Sequence, residues 1–303
     1  MAQLHDPKTG TIIDLRPSHS VGRAAGCGLV LNEAWISGNH ARFDWTGRGW
    51  ELRDLGSRNG TYVDGRKLPP GEIAPLTDGS RVAFGRKTDE WTVQRTAEAG
   101  AGAQRLRDGL SIWAQADMLS LPDDNNPLCT IFRDQSGAWV IDQDGEQRPA
   151  EAAELIQVEG EDWELLLPEA YVGTIDTSLP PLALSDVSLL FEVTGDEQQV
   201  NVTGMLGDQR FDLGGRAHLY LLLTLARQRL ADAERPSAAR GWLYTDEIAP
   251  RLGLETRSLN VAVHRIRRQF ANLPLDGGAN IVERRPLSRQ IRIHDVRCSI
   301  QIH

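Results

Sequence analysis

The sequence predicts a multidomain protein that is β-rich with an α+β part: an N-terminal β-sandwich, a middle β region, and a C-terminal module where strands give way to helices. Three observations predict this. A chain of 303 residues exceeds one average domain. From Thr11 to Gln94 short strand patterns are punctuated by turns, with no helical period. Beyond Arg216 apolar residues recur at helical spacing. The expected boundaries are 1–96, 97–180 and 181–303.

In the first region strands are expected at Thr11–Leu15, Ser20–Arg23, Leu29–Leu31, His40–Trp45, Trp50–Leu55, Thr61–Val63, Ser80–Gly85 and Trp91–Gln94. Breaks fall at Thr46-Gly47-Arg48-Gly49, Asp64-Gly65, Pro69-Pro70-Gly71 and Asp78-Gly79. Thr96–Gly102, rich in Ala and Gly, is expected to be a flexible joint. In the middle region Thr130–Arg133 with Ala138–Asp142, and Leu155–Val158 with Trp163–Leu167, read as hairpins. Ser178-Leu179-Pro180-Pro181 marks the next boundary. Strand patterns at Val187–Val193, Gln199–Thr203 and Arg210–Leu213 follow. Arg216–Leu230 is too thickly apolar for a surface helix and is expected to be a buried spine. Thr245–Leu252 is a short helix with Asp246 and Glu247 in its first turn and Gly253 past its end. A third helix covers Leu254–Ala271, and Ile281–Glu283 with Gln290–Ile293 closes the module as a hairpin.

Charge is unevenly divided. Residues 1–209 hold 17 basic and 33 acidic side chains, whereas 210–303 hold 16 basic and 9 acidic. The formal charge of −9 thus hides a basic C-terminal third, as expected of a segment that meets nucleic acid or that presents a solvated basic face. Cys27, Cys129 and Cys298 are scattered and odd in number, which fits a reducing cytoplasm. No leader-like segment or long apolar run is seen, so a soluble, cytoplasmic protein without membrane attachment is expected.

Arg23, Ser37 and the stretch Ser57-Arg58-Asn59-Gly60-Thr61 sit at strand ends, where loops carry function. Arg23 can give two parallel N–H bonds to one phosphate edge, and Ser37 adds a hydroxyl donor. Asn59 has both a donor and an acceptor for a peptide backbone, Gly60 permits the turn, and Thr61 begins the next strand. The landmarks Gly22-Arg23, Ser37-x-x-His40-Ala41, Leu55-Gly-Ser-Arg-Asn59-Gly60-Thr61-Tyr-Val, Gly65, Leu68, Asp78-Gly79 and Phe84-Gly85 resemble those of forkhead-associated (FHA) domains over residues 10–95. The resemblance implies an FHA β-sandwich that binds phosphothreonine. Arg23 and Ser37 would hold the phosphate, Asn59 the peptide main chain with Arg58 beside it, and His40 would buttress the Ser37 loop. Gly38 departs from the family's usual Arg or Asn and supplies no side chain. An FHA module that has lost phosphate binding and packs on partners is the competing reading.

In the third helix Leu259, Ala262, Val263, Ile266 and Phe270 are spaced to face the core. The opposite face then presents Arg257, Ser258, Asn260, Val261, His264, Arg267 and Arg268, a set suited to a DNA major groove. The hairpin adds Arg284, Arg285 and Arg289 near its tip for backbone or minor-groove contact. The element order and Leu259-Asn-Val-Ala-Val-His-Arg-Ile-Arg-Arg-Gln-Phe resemble the OmpR/PhoB-type winged helix-turn-helix over residues 185–295. The hairpin sequence from Glu283 to Ile293 departs from the family's Gly-x-Gly-Tyr ending.

The seven histidines show no metal-ligand spacing, and phosphate-loop, nucleophile-elbow and dinucleotide motifs are missing. No cofactor and no enzymatic activity are expected. The expected function is a bacterial-style transcription regulator that reads a phosphothreonine-containing protein, has a Ser/Thr kinase upstream, and binds DNA as a homodimer. The alternative is a phosphorylation-dependent scaffold whose winged helix contacts protein.

Overall fold

The computed structural model describes residues 2–69, 71–97, 99–168 and 183–303. The expected break at Pro70 and the boundary at Ser178–Pro181 lie outside the described residues. Two compact units are formed, one from residues 2–113, 152–156 and 163–168, the other from 114–151, 157–162 and 183–303. The region expected as a separate middle module, 97–180, is divided between them.

In the first unit, alternation of apolar and polar residues builds two facing sheets. The six-stranded sheet runs in the order Ile12–Asp14, Ala2–His5, Glu90–Thr96, Arg81–Phe84, Thr61–Val63, Arg66–Lys67. The five-stranded sheet runs Leu29–Val30, Ser18–Gly22, Ala41–Trp45, Trp50–Asp54, Ile73–Leu76. Leu4, Val82 and Val93 from one sheet and Val21, Phe43, Trp50 and Leu52 from the other share one buried core. Burying each such side chain contributes about 1.5–3 kcal/mol.

Three strands here were not expected, the shortest being the two-residue Arg66–Lys67. Ala2–His5 buries Ala2 and Leu4 on one face, a run too short to stand out in the sequence. Ile73–Leu76 contains Pro75, tolerated because this strand lies at the sheet's edge. The expected joint at Thr96–Gly102 is also corrected. Ala99 and Ala101 are fully buried, and Gly102 opens the strand Gly102–Arg105. A Cβ on Gly102 would lie 2.4 Å from the Trp113 ring. Small residues are there for close packing, not for freedom.

Gly102–Arg105 joins a four-stranded sheet with Ser111–Trp113, Glu161–Leu166 and Leu155–Val158, which contains the second expected hairpin. The first expected hairpin lies in the second unit, where Cys129–Arg133 pairs with Trp139–Gln143 between Met118–Leu121 and Glu146–Pro149.

The rest of the second unit is α+β. Gln209–Gly214, Val200–Leu206 and Val187–Val193 form an antiparallel set, completed by Arg297–Ile302 running parallel to Val187–Val193. That last strand was not expected, since its alternation is half-exposed. Three α-helices occur among the described residues. α1, Leu219–Ala231, buries Leu219, Leu221, Leu222, Leu223, Leu225 and Ala226, the spine its composition predicts. α2, Thr245–Arg251, carries Asp246 and Glu247 at its positive end and stops before Gly253, whose φ is +65°. α3 spans Thr256–Ala271. The hairpin Val282–Arg285 and Gln290–Ile293 pairs further with Leu243–Tyr244.

Candidate phosphate and polyanion sites

In the first unit, a buried carboxylate organises the Leu55–Thr61 loop. Asp54 Oδ1 accepts the amides of Gly56 and Ser57, both at 2.8 Å, and Oδ2 accepts the hydroxyls of Ser57 and Thr61, both at 2.6 Å. Burial alone would raise the Asp54 carboxyl, but the Ser57 and Thr61 bonds and the two amides outweigh it and hold the group below its ordinary value. Ser57 Oγ in turn accepts the Gly60 amide at 2.9 Å, and Gly60 takes φ of +87°, which its missing Cβ permits.

A second loop is locked against this one. The Arg23 amide donates to Ser37 O at 2.9 Å, and the Arg58 amide donates to Ser37 Oγ at 3.0 Å. Ser37 Oγ therefore accepts from the chain and keeps its own proton to donate outward. Beneath them His40 is fully buried. Its Nδ1 accepts the Ser37 amide at 3.1 Å, so Nε2 carries the proton and donates to Gly60 O at 3.2 Å. Burial lowers the His40 pKa, with the Gly60 bond and Asp54 opposing, which keeps this tautomer neutral. Gly22 admits the close approach: a Cβ there would sit 2.0 Å from Gly38 O.

The site residues predicted from sequence are thus brought to one edge of the sandwich, but not all face outward. Arg23 and Arg58 are exposed, and among the described residues neither guanidinium has a protein partner. Asn59 spends one amide N–H on Trp35 O at 2.8 Å and keeps its carbonyl for a ligand. Thr61, grouped with the peptide-binding stretch as a residue whose hydroxyl could tie the loop back, is fully buried with that hydroxyl committed to Asp54, so it holds the loop and does not face a ligand. Gly60 acts through its backbone alone. The arrangement offers two guanidiniums, one hydroxyl donor and one amide carbonyl, which suits a phosphorylated peptide. Sequence reasoning missed Asp54, Ser57 as its partner, and Trp35. An Asp placed just ahead of Gly56-Ser57 is the signal that could have found the first, since such side chains bond amides two and three residues on.

In the second unit, the basic face expected on α3 is largely covered. Arg257 and Ser258 are exposed, and Arg257 Nη2 donates to Asn126 Oδ1 at 2.9 Å. Val261 is half-buried. Arg267, expected on the open face, is 1% exposed. Its Nη1 reaches Asp142 Oδ2 at 2.6 Å, and its Nε and Nη2 both donate to Val282 O. Arg284 Nε shares the same Asp142 oxygen at 2.8 Å, and its Nη2 donates to Asn260 Oδ1 at 2.8 Å. Burial works against ionised Asp142, yet Arg284 and Arg267 hold its carboxyl below the ordinary range.

Arg268 donates to Gln115 O and Met118 O at 2.7 and 3.0 Å and pairs with Asp124. His264, expected to be exposed, is buried, with Nδ1 3.2 Å from Thr130 Oγ1. Burial pushes its pKa down to about 4 despite nearby Asp124, so it is neutral near pH 7. These departures share one cause: residues 115–142 of the same unit lie against α3 and the hairpin. Arg285 and Arg289 remain exposed at the hairpin, Arg285 stacking 4.5 Å over the Trp242 ring. Among the described residues no cluster suited to a metal ion is found, and no helix is long and apolar enough to cross a membrane.

Residues 19–85 match the model of the FHA domain family, and this part of the chain is an FHA domain. FhaB of Mycobacterium tuberculosis, an FHA domain-containing protein, is 39% identical over 70 residues, which is 23% of this chain and 44% of FhaB. The glycogen accumulation regulator GarA of Mycolicibacterium smegmatis is 34% identical over 71 residues, 23% of this chain and 43% of GarA. The chain therefore spans less than half the length of these curated relatives. Among solved structures, Mycobacterium tuberculosis EmbR in complex with a low-affinity phosphopeptide is 30% identical, with a TM-score of 0.29, over 32% of this chain and 24% of EmbR. The FhaA FHA domain complexed with the intracellular domain of Rv3910 is 28% identical, with a TM-score of 0.28, over 31% of this chain and all of that one.

Proposed function

We propose that the chain is a phosphothreonine-dependent regulator, a binding protein whose FHA domain reads a phosphorylated partner and whose C-terminal α+β module is a winged helix that binds DNA. One observation carries the first half: exposed Arg23 and Arg58 flank a Ser37 hydroxyl whose proton is left to donate outward, on loops fixed by Asp54 and His40. The phosphate would be installed by a Ser/Thr kinase. The second half is supported by the α2–α3 pair, the hairpin beside it, and the excess of basic over acidic side chains in residues 210–303. Two copies on paired half-sites, in the cytoplasm, complete the reading.

The phosphate reading is tested by titrating the full chain with a degenerate phosphothreonine peptide pool and its unphosphorylated counterpart. The phosphorylated pool binds selectively, and Arg23→Ala weakens it roughly 10- to 150-fold, the equivalent of losing about 1.5–3 kcal/mol of charged hydrogen bonding. Equal affinity for both pools would contradict it.

A second reading, a phosphorylation-dependent scaffold whose winged helix contacts protein, is favoured by the engagement of Arg267, Arg268 and Arg284 by the unit's own residues. It predicts that duplex DNA is not bound at any salt concentration.

A further inference from the structure

Resting on the DNA reading above, we propose that the sheet built from Met118–Leu121, Cys129–Arg133, Trp139–Gln143 and Glu146–Pro149 is an internal cover for the polyanion-binding face of α3, and that duplex DNA competes with it for the same arginines. The chemistry of the contact is that of a phosphate site. Asp142 Oδ2 receives one guanidinium from α3, Arg267, and one from the hairpin, Arg284. A DNA phosphate held between a helix in the groove and a flanking hairpin would collect the same two groups. Asp124 is a second carboxylate against α3, paired with Arg268 alone among these arginines.

The cover matches its substrate mimicry in charge. Residues 114–151 hold eight acidic and two basic side chains, against the net basic segment 210–303. The join is also separable in kind from the module it covers. The main apolar core of the C-terminal module runs from Leu184 to Val296 and includes no residue of 114–151. Where the two meet, the described residues form a small apolar cluster of Met118, Phe132 and Ala279, with Val140 and Ala271 against it. Beside it stand the ion pairs of Arg267, Arg268 and Arg284, with the Arg267 guanidinium also 4.5 Å over the Phe132 ring, and the strength of those ion pairs is what a polyanion can replace.

The test uses the full chain, duplex DNA of random sequence, and about 50 mM salt, where backbone contacts are strongest. Asp124→Asn and Asp142→Asn, singly and together, are compared with wild type by fluorescence anisotropy, with thermal melts to confirm folding. Asp142→Asn leaves two buried cations without their anion, so Asp124→Asn, at a half-exposed position, is the variant that keeps the fold. The cover predicts at least about tenfold tighter DNA binding by the folded variants. It also predicts that saturating DNA speeds amide hydrogen exchange within 118–149 of the wild-type protein. Equal DNA affinity for wild type and folded variants, with exchange in 118–149 unchanged, overturns the cover while leaving DNA binding standing. Failure of every protein to bind DNA removes the DNA reading, and the cover with it.

Discussion

At the scale of single residues, the geometry of the proposed phosphate site rests on a carboxylate as well as on its cations. Arg23 and Arg58 supply charge, but Asp54 sets where the loop carrying Arg58 and Asn59 lies, through two amides and two hydroxyls. Removing it orphans those donors at a buried position. Asp54→Ala is therefore expected to cost about 2–4 kcal/mol in denaturant unfolding and to abolish phosphopeptide binding with Arg23 intact. A loss below about 0.5 kcal/mol would show that the loop holds itself without Asp54. Ser37 and Arg23 could be found in the sequence because their chemistry is stated by residue type. Asp54 was passed over because a carboxylate beside arginines reads as a surface charge, and only its burial shows that it serves the backbone.

At the scale of elements, loop against loop is the recurring device. The turn after Ser18–Gly22 and the segment around Ser37 touch through glycine, with the Arg23 and Ala24 amides bonded to Ser37 O and Gly38 O at 2.9 and 3.0 Å. Gly22→Ala would drive a methyl group into the Gly38 carbonyl, backbone against backbone, and neither side can turn away. A destabilisation of about 1–3 kcal/mol is expected, with phosphopeptide affinity lost in step, as seen by calorimetry on the folded fraction. Gly22→Ala with wild-type affinity and stability would mean that the two loops are not locked as described.

The strands of the sandwich were legible because Phe43, Trp50 and Leu52 alternate with polar neighbours. α1 was legible from its dense run of apolar residues and α3 from apolar spacing. The covering of α3 was not, because it joins residues far apart: Arg267 and Asp142 are separated by 125 positions. Spacing on α3 alone correctly placed Leu259, Ala262, Val263, Ile266 and Phe270 inside, but it cannot show that a second surface buries His264 and Arg267 from the other side.

At the scale of the whole molecule, both units hide neutral histidines, and this gives the protein a pH dependence. Burial, helped by Arg16, lowers His19 to about 4 in the first unit, and burial lowers His264 to about 4 in the second. A group whose folded pKa lies below its unfolded value of 6.5 takes up its proton more readily on unfolding. Its contribution is complete above pH 6.5, is lost as pH falls from 6.5 towards 4, and changes little below that. Thermal unfolding followed from pH 8 to pH 4 should therefore show the melting temperature declining below about 6.5. A melting temperature that is flat or rises over that interval would mean that these histidines are not buried neutral.

The central claim is that a phosphoryl group is gripped where the Arg23, Ser37 and Arg58–Asn59 loops meet. Amide chemical shifts of the deuterated, nitrogen-15-labelled full chain, recorded on addition of a phosphothreonine peptide, test it most directly. Large, saturable shifts are expected at Arg23, Ser37, Arg58, Asn59 and Gly60, and the unphosphorylated peptide should leave those signals in place. Shifts confined to other parts of the protein, or the same shifts with both peptides, would contradict the account.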